Sequence, residues 1–123
     1  MTAQATVSYA VDFRRPLKTE AAPERPGRTL PVARLLALAH AIDAKIRSGE
    51  HDDLADAARK LGLTRARVTQ ISNLLLLAPT IQAAILAWPP ITEGRDPVTE
   101  RTLRPIVREP DWRRQIVLWT ETR

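Results

Sequence analysis

Hydrophobic and polar positions change rhythm once along the chain. Val7, Tyr9, Val11 and Phe13 alternate with Ser8, Ala10 and Asp12, the period-two pattern of a strand. One strand is not stable alone, so it is expected to pair with a second copy, pair with a partner, or stay disordered. Arg14 to Pro31 is rich in Pro and Arg and suits an extended tether. Residues 1–30 therefore read as an N-terminal strand and basic arm, and residues 31–123 as a helical domain.

From Pro31 to Ser48 the period becomes helical. Pro31 suits the first helical position, Leu35, Leu38, Ile42 and Ile46 form one apolar stripe, and Gly49 supplies the stop. A second, short helix is predicted from Asp52 or Asp53, whose carboxylates can cap free N–H groups, through Leu54, Ala57, Ala58 and Leu61 to Gly62. A third, capped by Thr64, carries Val68, Ile71 and Leu75 inward. Pro79 opens a fourth through Ile81 and Ile85, which Pro89 and Pro90 end. Asp96–Pro97 marks another start, for a short helix through Leu103 to Val107. The last helix begins at Pro110 and sets Trp112, Ile116 and Trp119 on one side. The predicted fold is all-α: five to six short helices with a central helix-turn-helix, preceded by the strand and arm.

Composition narrows the chemistry. The chain has 123 residues, 44% of them apolar and 27% charged, with only 4% aromatic, so the core must rest on Leu, Ile, Val and Ala. The absence of cysteine excludes disulfides, thiolate nucleophiles and Cys-ligated metals, and His40 and His51 cannot make a multi-His site alone. Leu74 to Ala78, an apolar run soon broken by Pro79, falls far short of a membrane span. Met1 to Tyr9 lacks the charged start and apolar block of a secretory signal. A cytoplasmic, bacterial nucleoid-associated protein is the expectation.

Nineteen Lys and Arg against fourteen Asp and Glu give a net charge of +5, and the pI near 10.7 is the usual electrostatic footprint of a nucleic-acid binder. A GC-rich genome is the plainer source, since sixteen of the nineteen cations are Arg. Residues 1–34 carry six cations and three anions, a stronger bias than in either later third.

The stretch Leu54 to Asn73, LADAARKLGLTRARVTQISN, fits a helix-turn-helix position by position. Ala58 supplies the small residue where two helices cross closely. Gly62 supplies the turn residue that accepts positive φ. Val68 and Ile71 occupy the contact face of the second helix, and Leu54, Leu61 and Leu63 take the remaining inward positions. With Val68 and Ile71 inward, Arg65, Ala66, Thr69, Gln70 and Asn73 point outward. These are base-reading types: Arg suits guanine, Gln and Asn suit adenine, and Ala or a Thr methyl suits the thymine methyl. No acidic residue lies between Thr64 and Asn73. Thr64 and the first-turn N–H groups can hold a phosphate, and Arg67, on the flank, is better placed for backbone than for base. An ordinary helical hairpin in a bundle is the alternative.

This motif, with the preceding VARLLALAHAID and the following NLLLLAPTIQAAIL, resembles the DNA-binding domain of ParB/KorB-type partition and repressor proteins, including short stand-alone relatives of mobile elements. The resemblance covers roughly residues 30–110 and is most specific from 54 to 86. It implies that the helix Thr64–Asn73 enters the major groove, with DNA-binding roles for Arg65, Thr69, Gln70 and Asn73. The larger ParB proteins carry an N-terminal nucleotide-binding domain with an Arg-rich phosphate motif. There is no room for it here, and Arg14–Arg15 is too isolated to stand in for it. Simple site binding is therefore implied rather than CTP-dependent clamping.

Arg14, Arg15, Lys18, Arg25 and Arg28 could follow phosphates or enter a minor groove, or form a solvated tail. A homodimer is expected, through the Val7–Phe13 strand or the Trp112–Ile116–Trp119 face, unless the tryptophans are core. His40 reads as a packed helix residue, and the aspartates after His51 as caps rather than a metal cluster. Glu100, Glu109 and Asp111 lack a nucleophile or metal partner. No enzyme, cofactor, metal or small-molecule substrate is indicated. The reading is a site-specific binder of double-stranded DNA: a transcriptional regulator, or an accessory factor of a mobile element or partition system. Arg65, Ala66, Thr69, Gln70 and Asn73 would contact bases, while Thr64, Arg67, Arg14, Arg15, Lys18 and Arg28 would contact phosphates. The alternative is a helical adaptor whose N-terminal strand engages a protein partner.

Overall fold

The computed structural model describes residues 27–122. They form six α-helices, with no strand among the described residues: α1 (Pro31–Arg47), α2 (Leu54–Leu61), α3 (Arg65–Ser72), α4 (Pro79–Leu86), α5 (Glu100–Arg108) and α6 (Trp112–Thr122). A short 3₁₀ turn, Asn73–Leu76, links α3 to α4. The Val7–Phe13 strand and the arm residues Arg14, Arg15, Lys18 and Arg25 lie outside the described residues.

Local signals set most helix ends. Pro31 and Pro79 stand at the first turns of α1 and α4, where a missing N–H costs nothing. Asp53 caps α2 by accepting the Asp56 N–H at 2.8 Å, and Gly62 closes it in the left-handed region at φ 71°. The start expected at Asp96–Pro97 falls three residues later. Thr99 and Thr102 form a reciprocal capping box there, while the Asp96 carboxylate is taken by Arg28. The last helix begins beyond Pro110, where the Asp111 carboxylate accepts the Arg113 N–H at 2.9 Å.

α1 packs against α2, α3, α4 and the 3₁₀ turn, and two apolar clusters lie along it. The larger gathers Leu30, Leu36, Leu74, Ile81, Ile85 and Leu103, among others, with Trp119 at its edge. The smaller consists of Ile42, Ala57, Ala58 and Val68. Being covered from several sides moves the α1 stripe: Val32, Leu36 and Ala39 are fully buried with Ile42, while Leu35, Leu38 and Ile46 are half-buried. Likewise Leu74, rather than Leu75, is the buried residue after α3, because the chain tightens into a 3₁₀ turn at Asn73 and changes phase.

The tryptophan stripe of α6 divides. Trp119 is buried and meets Trp88 edge-on at 6.3 Å, whereas Trp112 is 53% and Ile116 41% exposed. The face of α6 turns instead about Gln115, which is 1% exposed. Its Oε1 accepts the Ala78 N–H at 2.6 Å, and its Nε2 donates to the carbonyls of Glu109 at 2.8 Å and Leu76 at 3.1 Å. A polar side chain takes this buried place because it satisfies three backbone groups. Two antiparallel-bridge bonds between Arg28 and Ile91, 2.9 and 2.8 Å, tie the start of the described chain to the loop after α4.

Candidate nucleic-acid interface

Three residues, 62–64, separate α2 from α3. Ala57 and Ala58, 0% and 4% exposed, meet Val68 and Ile42, so the two helices approach closely over small side chains. The expected inward places of Leu61 and Leu63 are not taken: they are 39% and 38% exposed. Leu38, Ile46 and Leu54 already pack against that seam, so the leucines flanking Gly62 stay at its edge. In the first turn of α2, the Asp56 carboxylate accepts the Asp52 N–H at 2.9 Å and is flanked by Lys60 and Arg59. These bonds, that of the Asp52 N–H first, hold its pKa down at about 2.

α3 presents the face its sequence foretells. Val68 and Ile71 are buried at 0% and 1%, and Arg65, Ala66, Gln70 and Asn73 are exposed on the other side, with Thr69 half-buried. The Thr64 hydroxyl accepts the Arg67 N–H at 3.0 Å, which caps the helix. Nothing on α3 itself carries negative charge.

Tertiary structure nevertheless brings a carboxylate to this helix. Arg67 Nη1 donates to Glu100 Oε2 at 2.8 Å and Oε1 at 3.0 Å, and to Gln70 Oε1 at 3.3 Å. Arg67 is thus half-buried and pinned to the first turn of α5 rather than reaching freely into solvent. Its guanidinium also holds the Gln70 amide, so it orders a residue of the outward face. The pairing of these two residues, 33 apart, is not readable from local spacing.

Between α3 and α5 runs an open groove of about 360 Å³. Gln70 lines it from α3 and Asn73 from the 3₁₀ turn that follows, and Glu100, Arg104 and Arg108 line it from α5. Arg104 and Arg108 have no ion-pair partner among the described residues and share a face with Arg101, at helical spacings of three and four. A second, shallower depression of about 510 Å³ on the other flank holds Arg28, Arg34 and Arg67. Arg28 is ion-paired with Asp96, and it donates to the Gly94 carbonyl at 3.0 Å. Arg34, Arg101, Arg104 and Arg108 are cations that sequence spacing did not single out. A helical period for α5 with Leu103 and Ile106 inward would have placed the last three outward together.

The histidines stand apart. His40 Nε2 lies 2.7 Å from the Gln82 Oε1, joining α1 to α4. His51 is buried, and its ring nitrogens have no hydrogen-bond partner among the described residues. No group of three His, Cys, Asp or Glu among the described residues could hold a metal ion. No single helix among them is long and apolar enough to cross a membrane. No family model matches the chain, and neither a curated protein nor a solved structure is significantly similar to it.

Proposed function

We propose that the chain binds double-stranded DNA at specific sites through α2 and α3 acting as a helix-turn-helix, in the manner of the ParB/KorB-type DNA-binding domains that its sequence resembles. The observation that carries this reading is the outward face of α3. Arg65, Ala66 and Gln70 on the helix and Asn73 just after it are exposed, with no carboxylate in that stretch, a set able to pair with guanine, adenine and the thymine methyl. A helix bearing such a face fits the major groove, about 12 Å wide.

The neighbouring groups divide the work. Gln70 and Asn73 read bases, and Arg104 and Arg108 across the groove hold phosphates of the same site. Arg34, on the other flank, extends the cationic surface, whereas Arg28 is taken by Asp96. Arg67, occupied by Glu100, orients Gln70 rather than gripping a phosphate. A protein of this kind regulates transcription or serves a mobile element or partition system as an accessory factor.

Selection from a random duplex pool at roughly physiological salt, run with the chain and with Gln70→Ala, tests the reading. An enriched motif is expected, with Gln70→Ala losing about 1–3 kcal/mol at the cognate site and relaxing preference at one position. No enrichment, or an equal loss on every sequence, overturns it.

A further inference from the structure

The two sides of α6 differ in what covers them. Gln115 and Trp119 are buried against the body of the protein, while Trp112, Ile116 and Val117 are 53%, 41% and 57% exposed. Large apolar side chains gathered in this way are the mark of an interaction surface rather than of scattered exposure.

Charge along the helix selects the occupant. Arg113 stands four residues before Val117 and Glu121 four residues after it. Among the described residues neither has an ion-pair partner. A positive and a negative group equidistant from an apolar centre complement a second copy of the same helix running the opposite way. Arg113 of each copy then comes level with Glu121 of the other, about 6 Å along the axis from the centre at 1.5 Å per residue. Parallel pairing would instead set like charges level. Antiparallel self-pairing is also the geometry of a twofold, isologous contact, in which one patch meets itself.

We propose that α6 is a homodimerisation element. Two copies pack α6 on α6, antiparallel about a twofold axis at Val117, with Ile116 and Val117 at the centre and Trp112 towards the rim. Two reciprocal Arg113–Glu121 pairs fix the register. The interface needs no DNA and stands independently of the reading of α3.

Sedimentation equilibrium of the whole chain tests it, without nucleic acid and with circular dichroism to verify folding. The expected particle has twice the 13.8 kDa of one chain. Val117→Glu, at an exposed position, should keep the helix content and give a monomer. Arg113→Glu and Glu121→Arg should each weaken the dimer about tenfold or more through like-charge contact. The double variant, Arg113→Glu with Glu121→Arg, should restore it. A monomer at every concentration overturns the proposal, as does a dimer untouched by Val117→Glu or a double variant no better than the singles. A dimer abolished by removing residues 1–26 but indifferent to Val117→Glu overturns it too, and assigns pairing to the arm.

Discussion

The seam between α1, α2 and α3 and the core beneath α4, α5 and α6 hold their helices by different means. The seam has a small buried cluster of Ile42, Ala57, Ala58 and Val68, with Leu38, Ile46 and Leu54 packed against it and Ile71 of α3 also buried. The core has Leu36, Ile81, Ile85, Leu103 and Ile106, with Trp119 at its edge. Bulk apolar burial is therefore concentrated away from the candidate reading helix. Around α2 and α3 the definition comes from close approach and polar bonds: locally the Asp53 and Thr64 caps, Gly62 and the Asp56 cluster, and at long range the Arg67–Glu100 pair. One region depends on volume being present, the other on volume being absent.

Opposite substitutions should therefore hurt the two regions. Ile85→Ala removes a side chain that is 0% exposed, and it is expected to cost about 2–5 kcal/mol through lost burial and a residual cavity. Urea unfolding measures it, and a cost under about 1 kcal/mol would mean that the core collapses around the gap. Ala57→Leu adds volume where the helices meet and is expected to cost about 1–3 kcal/mol. If it stabilised the fold, the seam would be loose and the contrast would fail.

The smallest effect is confined to acid. The Asp56 carboxyl is held at about 2 in the folded chain against 3.8 ordinarily. Its charge therefore contributes stability in full above about 4, and that contribution is lost as pH falls through about 2. Comparing the chain with Asp56→Asn, the stability gap seen at neutral pH should narrow between those two values. A gap as wide at the acid end as at neutrality would mean that shape, not charge, is what Asp56 supplies.

Features made by neighbouring residues were legible in the sequence. Asp53, Gly62 and Thr64 bound α2 and α3 through contacts within a few residues, and the spacing of Val68 and Ile71 set the outward face of α3. Features made by distant residues were not. Asp96 looked like a cap but is engaged by Arg28, 68 residues away, which leaves Thr99 to start α5. Periodicity placed Trp112, Ile116 and Trp119 on one side of α6 without showing which of them another element would cover. Nothing local distinguishes Gln115 from a surface glutamine, since its partners are backbone groups of Leu76, Ala78 and Glu109. Glu100 reaches Arg67 only through the path of the chain, so the candidate site gained a carboxylate that no helix-by-helix reading contained.

Gln115 also ties two segments together. The Ala78 amide, at the mouth of α4, is shielded from solvent exchange by a side chain belonging to α6. Lifting α6 away breaks that bond, so a single amide outside the helix is expected to report on it. In a hydrogen-exchange experiment, Ala78 exchanging faster than the later amides of α4 would mark α6 as a unit that opens by itself. Exchange in step with them would make α4 and α6 one cooperative body.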